Sequence, residues 1–374
     1  MGWISVAAGG SLARVAVVAA TVAGIVLFLS PARAAAPPVQ PTLSQLVGQH
    51  LLTRMEGTTP SVTLLRRIRR GELAGVVLFR ENIPASGPAR LIARLQAAAQ
   101  AGGQLPLLIA IDQEGGVVKR LPGPPTLAPS AMVTAAIARA QGFATGRSLR
   151  RLGIGIDLAP VLDVPSSPRA FIGPRAFSSD PATVGARGVA FAEGLVSGGV
   201  AAAAKHFPGL GRLVQNTDFG RGRIDASRVA LGRDLVPFRQ AVRAHVPAVM
   251  VGTAIYPSYG SDLPSACVPA IVDGLLRRQL GFTGVALSDD LGTAGVSRTI
   301  PPLEATVRAV QAGIDLVYIA SQDGHDEAIS NAAFDTLLRA AARGEISETQ
   351  LRSSYERTAA LKRRFAPPPN PAGG

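Results

Sequence analysis

Short apolar runs punctuate the chain at 75–79, 107–111, 155–158, 200–204, 248–251, 285–287 and 314–319. Each spans three to six residues with little polar alternation, as expected of parallel strands covered on both faces. Stretches bearing Arg and Ala, each followed by a glycine, separate the runs at distances that suit βα units. No fixed sequence period recurs, which excludes a solenoid. Ahead of the first run, Thr42 caps a predicted helix reaching about Met55, with Leu43, Leu46, Val47 and Leu51 on one face. Behind the last, Ser347 and Gln350 form a predicted capping box for a late helix whose apolar side carries Ile346, Leu351, Tyr355 and Leu361.

Several runs end, on their C-terminal side, in reactive or hydrogen-bonding residues. Phe79 precedes Arg80-Glu81-Asn82, Ile111 precedes Asp112-Gln113-Glu114, Ala204 precedes Lys205-His206, and Leu287 precedes Ser288-Asp289-Asp290. In a (β/α)8 barrel such ends share one mouth, where the active site lies. A doubly wound sheet collects a site at one switch point instead. The pattern predicts the α/β class: a single-domain, TIM-type (β/α)8 barrel over 42–365. Seven strands are legible and the eighth is not.

The 374 residues are 47% hydrophobic and 17% charged, too apolar for a disordered chain. A single cysteine, Cys267, excludes an intramolecular disulfide and a Cys-rich zinc site. The formal net charge of +13 fits attraction to an anionic cell wall, or simply an arginine-rich composition. No nucleic-acid-binding motif accompanies the basic residues. At the N-terminus, Arg14 precedes an apolar run over 15–29; Pro31 and Ala32-Arg33-Ala34 follow. This predicts a signal peptide over 1–34, or an uncleaved anchor, and hence export. Residues 35–41 read as a Pro/Ala linker, and 366–374 as a disordered tail.

Three segments carry candidate chemistry. In Ala110-Ile111-Asp112-Gln113-Glu114-Gly115-Gly116 a strand-end carboxylate stands beside a glycine pair that lets backbone turn close to a ligand. Asp112 there can accept sugar hydroxyls or cap a helix. In Lys205-His206-Phe207-Pro208-Gly209-Leu210-Gly211 a lysine and histidine follow four alanines, a costly placement unless polar partners meet them. In Gly284-Val285-Ala286-Leu287-Ser288-Asp289-Asp290-Leu291 adjacent carboxylates project to different sides. One can serve as a nucleophile while the other caps or pairs; both can also be caps.

These segments, in this order, resemble glycoside hydrolase family 3, and most closely its single-domain bacterial β-N-acetylhexosaminidase branch. The resemblance runs from Gly48-Gln49 through Ala159-Pro160-Val161-Leu162-Asp163 to Ala312-Gly313-Ile314-Asp315. It implies that Asp289 is the nucleophile. It further implies that Asp112, Lys205, His206 and Arg175 hold the sugar, and that Asp290 is structural. The chain departs from the family at Leu210 and Thr253, where histidines are usual. It departs again at the acid/base loop, where Asn216-Thr217-Asp218 stands in place of Asp-x-His. A carboxyl, Asp218, then replaces the imidazole, with Asn216 supporting it.

Retaining glycosidases generally use a carboxyl pair about 5–5.5 Å apart, so the exchange is chemically tolerable. It asks Asp218 for a raised pKa, from burial against Phe219 or repulsion by Asp289. The loop over 210–222 offers few anchoring apolar residues and is expected to be mobile when empty. The implied activity is an exported, retaining glycosidase that removes terminal N-acetylglucosamine from peptidoglycan fragments. It needs no cofactor and no metal. Its partner is a carbohydrate rather than nucleic acid, and the expected state is a monomer. A β-glucosidase and a catalytically weakened sugar-binding member are the alternatives.

Overall fold

The computed structural model describes residues 40–366. The predicted signal peptide, all but the end of the linker and all but Ala366 of the predicted tail lie outside the described residues. Eight parallel strands form one sheet: β1 (Leu51–Arg54), β2 (Gly75–Leu78), β3 (Leu108–Ile111), β4 (Ile156–Asp157), β5 (Ala201–Phe207), β6 (Ala248–Val251), β7 (Val285–Ser288) and β8 (Val317–Ile319). β8 also pairs with β1, Leu51 opposite Val317. A parallel bridge between Leu287 and Leu316, with Ser288 N–H donating to Leu316 O at 2.9 Å, links β7 to the approach to β8 and closes the barrel. Helices cover the outside, so the α/β TIM-type expectation holds.

The unread eighth strand is β1. The predicted helix runs only over Leu43–Gly48, capped by Thr42 as expected. It stops where the chain presses on a neighbouring turn: a Cβ on Gly48 would lie 2.4 Å from the Glu72 Cα. Leu51 then faces the helix layer and Leu52 the barrel interior. Leu-Leu-Thr-Arg offers too short an apolar run to announce a strand, and Leu51 happened to continue the helical spacing.

Alternation sorts each strand between two cores. Val77, Ala110, Ala201, Ala203, Met250 and Leu287 pack inside the barrel, whereas Val76, Ile109, Ala202, Val249 and Ala286 meet the helices. Leu361 and Phe365 of the last helix, Glu348–Phe365, join the interior cluster. They close the barrel at the N-terminal ends of the strands, where a Cβ on Gly155 would touch Phe365 O at 3.2 Å. The opposite end stays available as a mouth. Ser347 caps this last helix by accepting from Gln350 N–H. The box is not closed, because the Gln350 side chain donates to Val310 O instead.

Candidate active site

The β3–β5 side of the mouth is a compensated charge cluster. Lys205 Nζ lies 2.6 Å from Asp112 Oδ1 and 2.7 Å from Glu114 Oε1. Arg175, on the turn Gly173–Arg175 after β4, grips both Glu114 oxygens, at 2.9 Å from Nε and 2.7 Å from the terminal nitrogen. This fork geometry suits a guanidinium. Arg120 approaches Asp112 Oδ2 at 3.4 Å and lies over the Phe79 ring, 4.7 Å from its centroid.

Lys205 and His206 are consecutive, so simple alternation would send them to opposite faces. The β5–β6 register shifts between Ala204 and Phe207, and such an irregularity re-aims side chains. Both residues line the mouth. His206 Nδ1 is 2.6 Å from Asp163 Oδ2, and its Nε2 lies 3.5 Å from Arg175. The carboxylate therefore accepts a hydrogen bond from Nδ1–H, which leaves Nε2 as the acceptor facing Arg175.

Burial alone would raise the Asp112 carboxyl, but Lys205, Arg120 and Arg175 outweigh it and hold it at about 2. Glu114 is likewise lowered, and the two carboxylates raise Lys205 against its own burial. Asp157, buried on β4 between the interior residues Ile156 and Leu158, accepts from Gln113 N–H at 2.9 Å through one oxygen, and its other oxygen is unpartnered among the described residues. Burial pushes its carboxyl up to about 8.

Across the mouth, β7 delivers the adjacent aspartates. Asp289 N–H donates to Val251 O at 2.8 Å, and Asp289 Oδ1 accepts from Asp290 N–H at 2.9 Å. Asp290 Oδ1 accepts from Gly292 and Ala320 N–H at 2.8 and 2.9 Å. It staples the β7 and β8 loops together. Gly292 permits this approach, since a Cβ there would meet Ala320 O at 1.7 Å. Burial raises the Asp289 carboxyl, and the negative charge of Asp218 pushes the same way.

The Asn216–Asp218 loop completes the rim. Asn216 Oδ1 accepts from Asp218 N–H at 3.1 Å, and its Nδ2 donates to Asp218 Oδ2 at 2.9 Å. The loop is anchored more than expected. Leu210, Leu213 and Thr217 are buried, Asp218 O accepts from Ala294 N–H at 3.2 Å, and Gly295 admits Thr217 O where a Cβ would lie at 2.2 Å. The expected shield for Asp218 is absent, because Phe219 is 70% exposed.

One cavity of about 400 Å³ is lined by Asp112, Arg175, Lys205, His206, Asn216, Asp218 and Asp289, all seven residues singled out from the sequence. Glu114 and Asp163 were quoted there without a role. Glu114 stands two residues from Asp112 beside a strand end, a spacing that signals a shared side. Asp163 carries no local signal; only the fold brings it to His206. Leu210, at a usual histidine position, donates its backbone N–H to Asp163 Oδ1 at 2.6 Å and buries its side chain. Among the described residues, no group of three or more His, Cys, Asp or Glu is placed to hold a metal ion.

Residues 42–361 match the family model described as "Glycosyl hydrolase family 3 N terminal domain". A β-hexosaminidase of Stenotrophomonas maltophilia is 34% identical over 317 residues, covering 80% of this chain and 92% of that protein. A family 3 β-N-acetylglucosaminidase from Paenibacillus superposes with a TM-score of 0.82 at 34% identity. That match covers 87% of this chain, which spans only 63% of the Paenibacillus protein. A β-N-acetylhexosaminidase from Beutenbergia cavernae superposes at 0.77 with 31% identity, covering 86% of this chain and 99% of that one. With the matched family model spanning the whole barrel and its mouth, the chain belongs to glycosyl hydrolase family 3.

Proposed function

We propose that the protein is a retaining exo-β-N-acetylhexosaminidase that releases terminal N-acetylglucosamine. The observation that carries this reading is the shared cavity. Asp289 and the Asn216-supported Asp218 stand in one mouth with the hydroxyl-binding set of Asp112, Lys205, His206 and Arg175. Lys205, Arg175 and Arg120 engage Asp112 and Glu114, so the carboxylates are compensated and this wall can exchange water for the hydroxyls of a sugar. The named β-N-acetylglucosaminidases and β-hexosaminidases among its relatives support the substrate class.

In the first step Asp289 attacks the anomeric carbon while Asp218 gives its proton to the departing oxygen. The glycosidic bond breaks as the ester forms. In the second, Asp218 takes a proton from water, whose oxygen attacks the anomeric carbon and returns Asp289 to carboxylate. The apolar run over 15–29 supports export, as does a relative from Arthroderma benhamiae described as secreted, 31% identical over 353 residues. Export and positive charge together favour cell-wall fragments as the source of substrate.

An aryl N-acetylglucosaminide assayed beside the aryl glucoside tests the reading. Turnover of the first alone is expected. Preference for the glucoside would make the protein a β-glucosidase. Binding without turnover of either would select a sugar-binding member, the reading favoured by the absent acid/base histidine.

A further inference from the structure

Most buried polar atoms of the mouth have partners, as buried polar groups generally do. Two hydroxyls on its β7–β8 side do not. Tyr318, on β8, is 4% exposed, and its hydroxyl has no hydrogen-bond partner among the described residues. Thr293, on the loop after β7, is 3% exposed, and its hydroxyl is likewise unpartnered. Both side chains line the cavity that holds Asp289 and Asp218.

The two positions are firmly set. Tyr318 N–H donates to Ser288 Oγ at 3.0 Å and Tyr318 O accepts from Leu291 N–H at 3.0 Å. Thr293 precedes the short helix Ala294–Ser297 in the place where a threonine hydroxyl ordinarily accepts a helix N–H. Here it makes no such bond. A buried, unmet hydroxyl costs roughly 1–3 kcal/mol, so two in one cavity mark places where a ligand completes the hydrogen bonding.

The surroundings define that ligand. Arg54, the cation on this side, is already committed: its Nε lies 2.8 Å from Asp326, and a terminal nitrogen donates to Ser321 O at 2.9 Å. Asp289 and Asp290 line the same cavity. An anionic group on this side would meet the two carboxylates, with Arg54 already paired, whereas an uncharged hydroxyl or amide meets donors. Burial keeps the Tyr318 phenol protonated, its pKa well above the usual 10, so it offers its hydrogen.

We propose that the Tyr318 and Thr293 hydroxyls form a second substrate-binding wall, opposite the Lys205 cluster, that hydrogen-bonds an uncharged polar group of the terminal sugar. This rests on the glycosidase reading above and adds two specificity residues to it. Neither hydroxyl transfers a proton in the reaction; both act by binding.

The test uses Tyr318→Phe and Thr293→Val in the full chain, each checked for a melting temperature at or above that of the wild type, as removal of an unmet buried hydroxyl predicts. Isothermal titration with a thio-linked aryl N-acetylglucosaminide reads binding without turnover. Each variant should bind roughly three- to tenfold more weakly, as expected for one lost hydrogen bond. KM on the aryl N-acetylglucosaminide should rise more than kcat falls. With the 3-, 4- and 6-deoxy sugars and the 2-hydroxy analogue, one substrate should bind wild type and Tyr318→Phe equally, because its partner group is already gone. Unchanged affinity in both variants, or equal penalties for every analogue, overturns the wall while leaving the glycosidase reading intact. A wild type that binds no N-acetylglucosaminide overturns both.

Discussion

Asp163 joins the two halves of the site: one oxygen lies 2.6 Å from His206 Nδ1, and the other accepts the Leu210 backbone N–H at 2.6 Å. The first contact sets the His206 ring and its tautomer. The second pins the start of the loop that carries Asn216 and Asp218. A fully buried carboxylate with both oxygens engaged is a positioning device.

Asp163→Asn is the first prediction. The amide cannot accept on both atoms, so either one contact fails or His206 must take the tautomer that accepts at Nδ1. KM for the aryl N-acetylglucosaminide should rise and kcat should fall together, with kcat/KM down roughly tenfold to a hundredfold for about 1.5–3 kcal/mol of charge-assisted hydrogen bonding. A loss confined to melting temperature, with normal kinetics in the folded fraction, would show that Asp163 only stabilises the barrel.

The barrel was readable because strands buried on both faces need no alternation, and the helical spacing between them is regular. Strand β1 was hidden by its brevity and by Arg54, which ends it in the mouth. Asp112, Lys205, His206, Asp289 and Asp218 were legible as polar residues at strand ends or at a counted loop position. Asp163 was not, because its partner is 43 residues away in sequence. The anchors of the loop over 210–222 were missed for a similar reason. Leu213 and Thr217 have no periodic neighbours, and the close approach at Gly295 comes from a different strand's loop.

Lys205→Met should destabilise the fold. Removing the ammonium leaves Asp112 and Glu114 buried with less compensation, and breaking such a buried pair costs about 3–5 kcal/mol. The sign with pH follows from Asp112. In the wild type its folded pKa, about 2, lies below the usual 3.8, so it contributes stability above about 4 that is lost toward pH 2. Without Lys205, burial raises the carboxyls and their charge becomes a penalty. The deficit should therefore be larger at pH 7 than at pH 4, as read by urea unfolding at each pH. Equal deficits would indicate lost packing alone.

Lys362 gives a slope of the same sign, in a higher pH window, at the far end of the barrel. It is fully buried, donates to Gln49 Oε1 at 2.7 Å, and burial lowers it from 10.5 to about 7. Between these values the unfolded chain binds the extra proton, so this group makes stability rise with pH, by at most about 1.4 kcal/mol per unit. In Lys362→Met that contribution disappears. The wild type should gain on the variant as pH climbs from about 7 to 10. A constant difference between the two would mean that the Gln49 contact offsets the burial of the ammonium.

Asp218 decides whether a carboxyl can do the work of an imidazole. Its neighbours favour the role: Asn216 fixes one carboxyl oxygen at 2.9 Å, and the backbone is held against the β7 loop through Ala294. An amide orients the group but cannot exchange its proton. Losing a general acid typically costs about 10²–10⁴-fold, and the loss must depend on the leaving group. Asp218→Ala should keep most of its first-step rate on an activated aryl glycoside, whose phenolate departs with little protonation. On a disaccharide it should be nearly inactive. Added azide should speed the second step and yield the β-glycosyl azide, since it attacks without needing a base. Asn216→Ala should lose far less on both substrates. Equal damage to both by Asp218→Ala, or none to either, removes Asp218 from the acid role. Retained binding with no turnover in the wild type would then leave the protein as a sugar-binding member of the family.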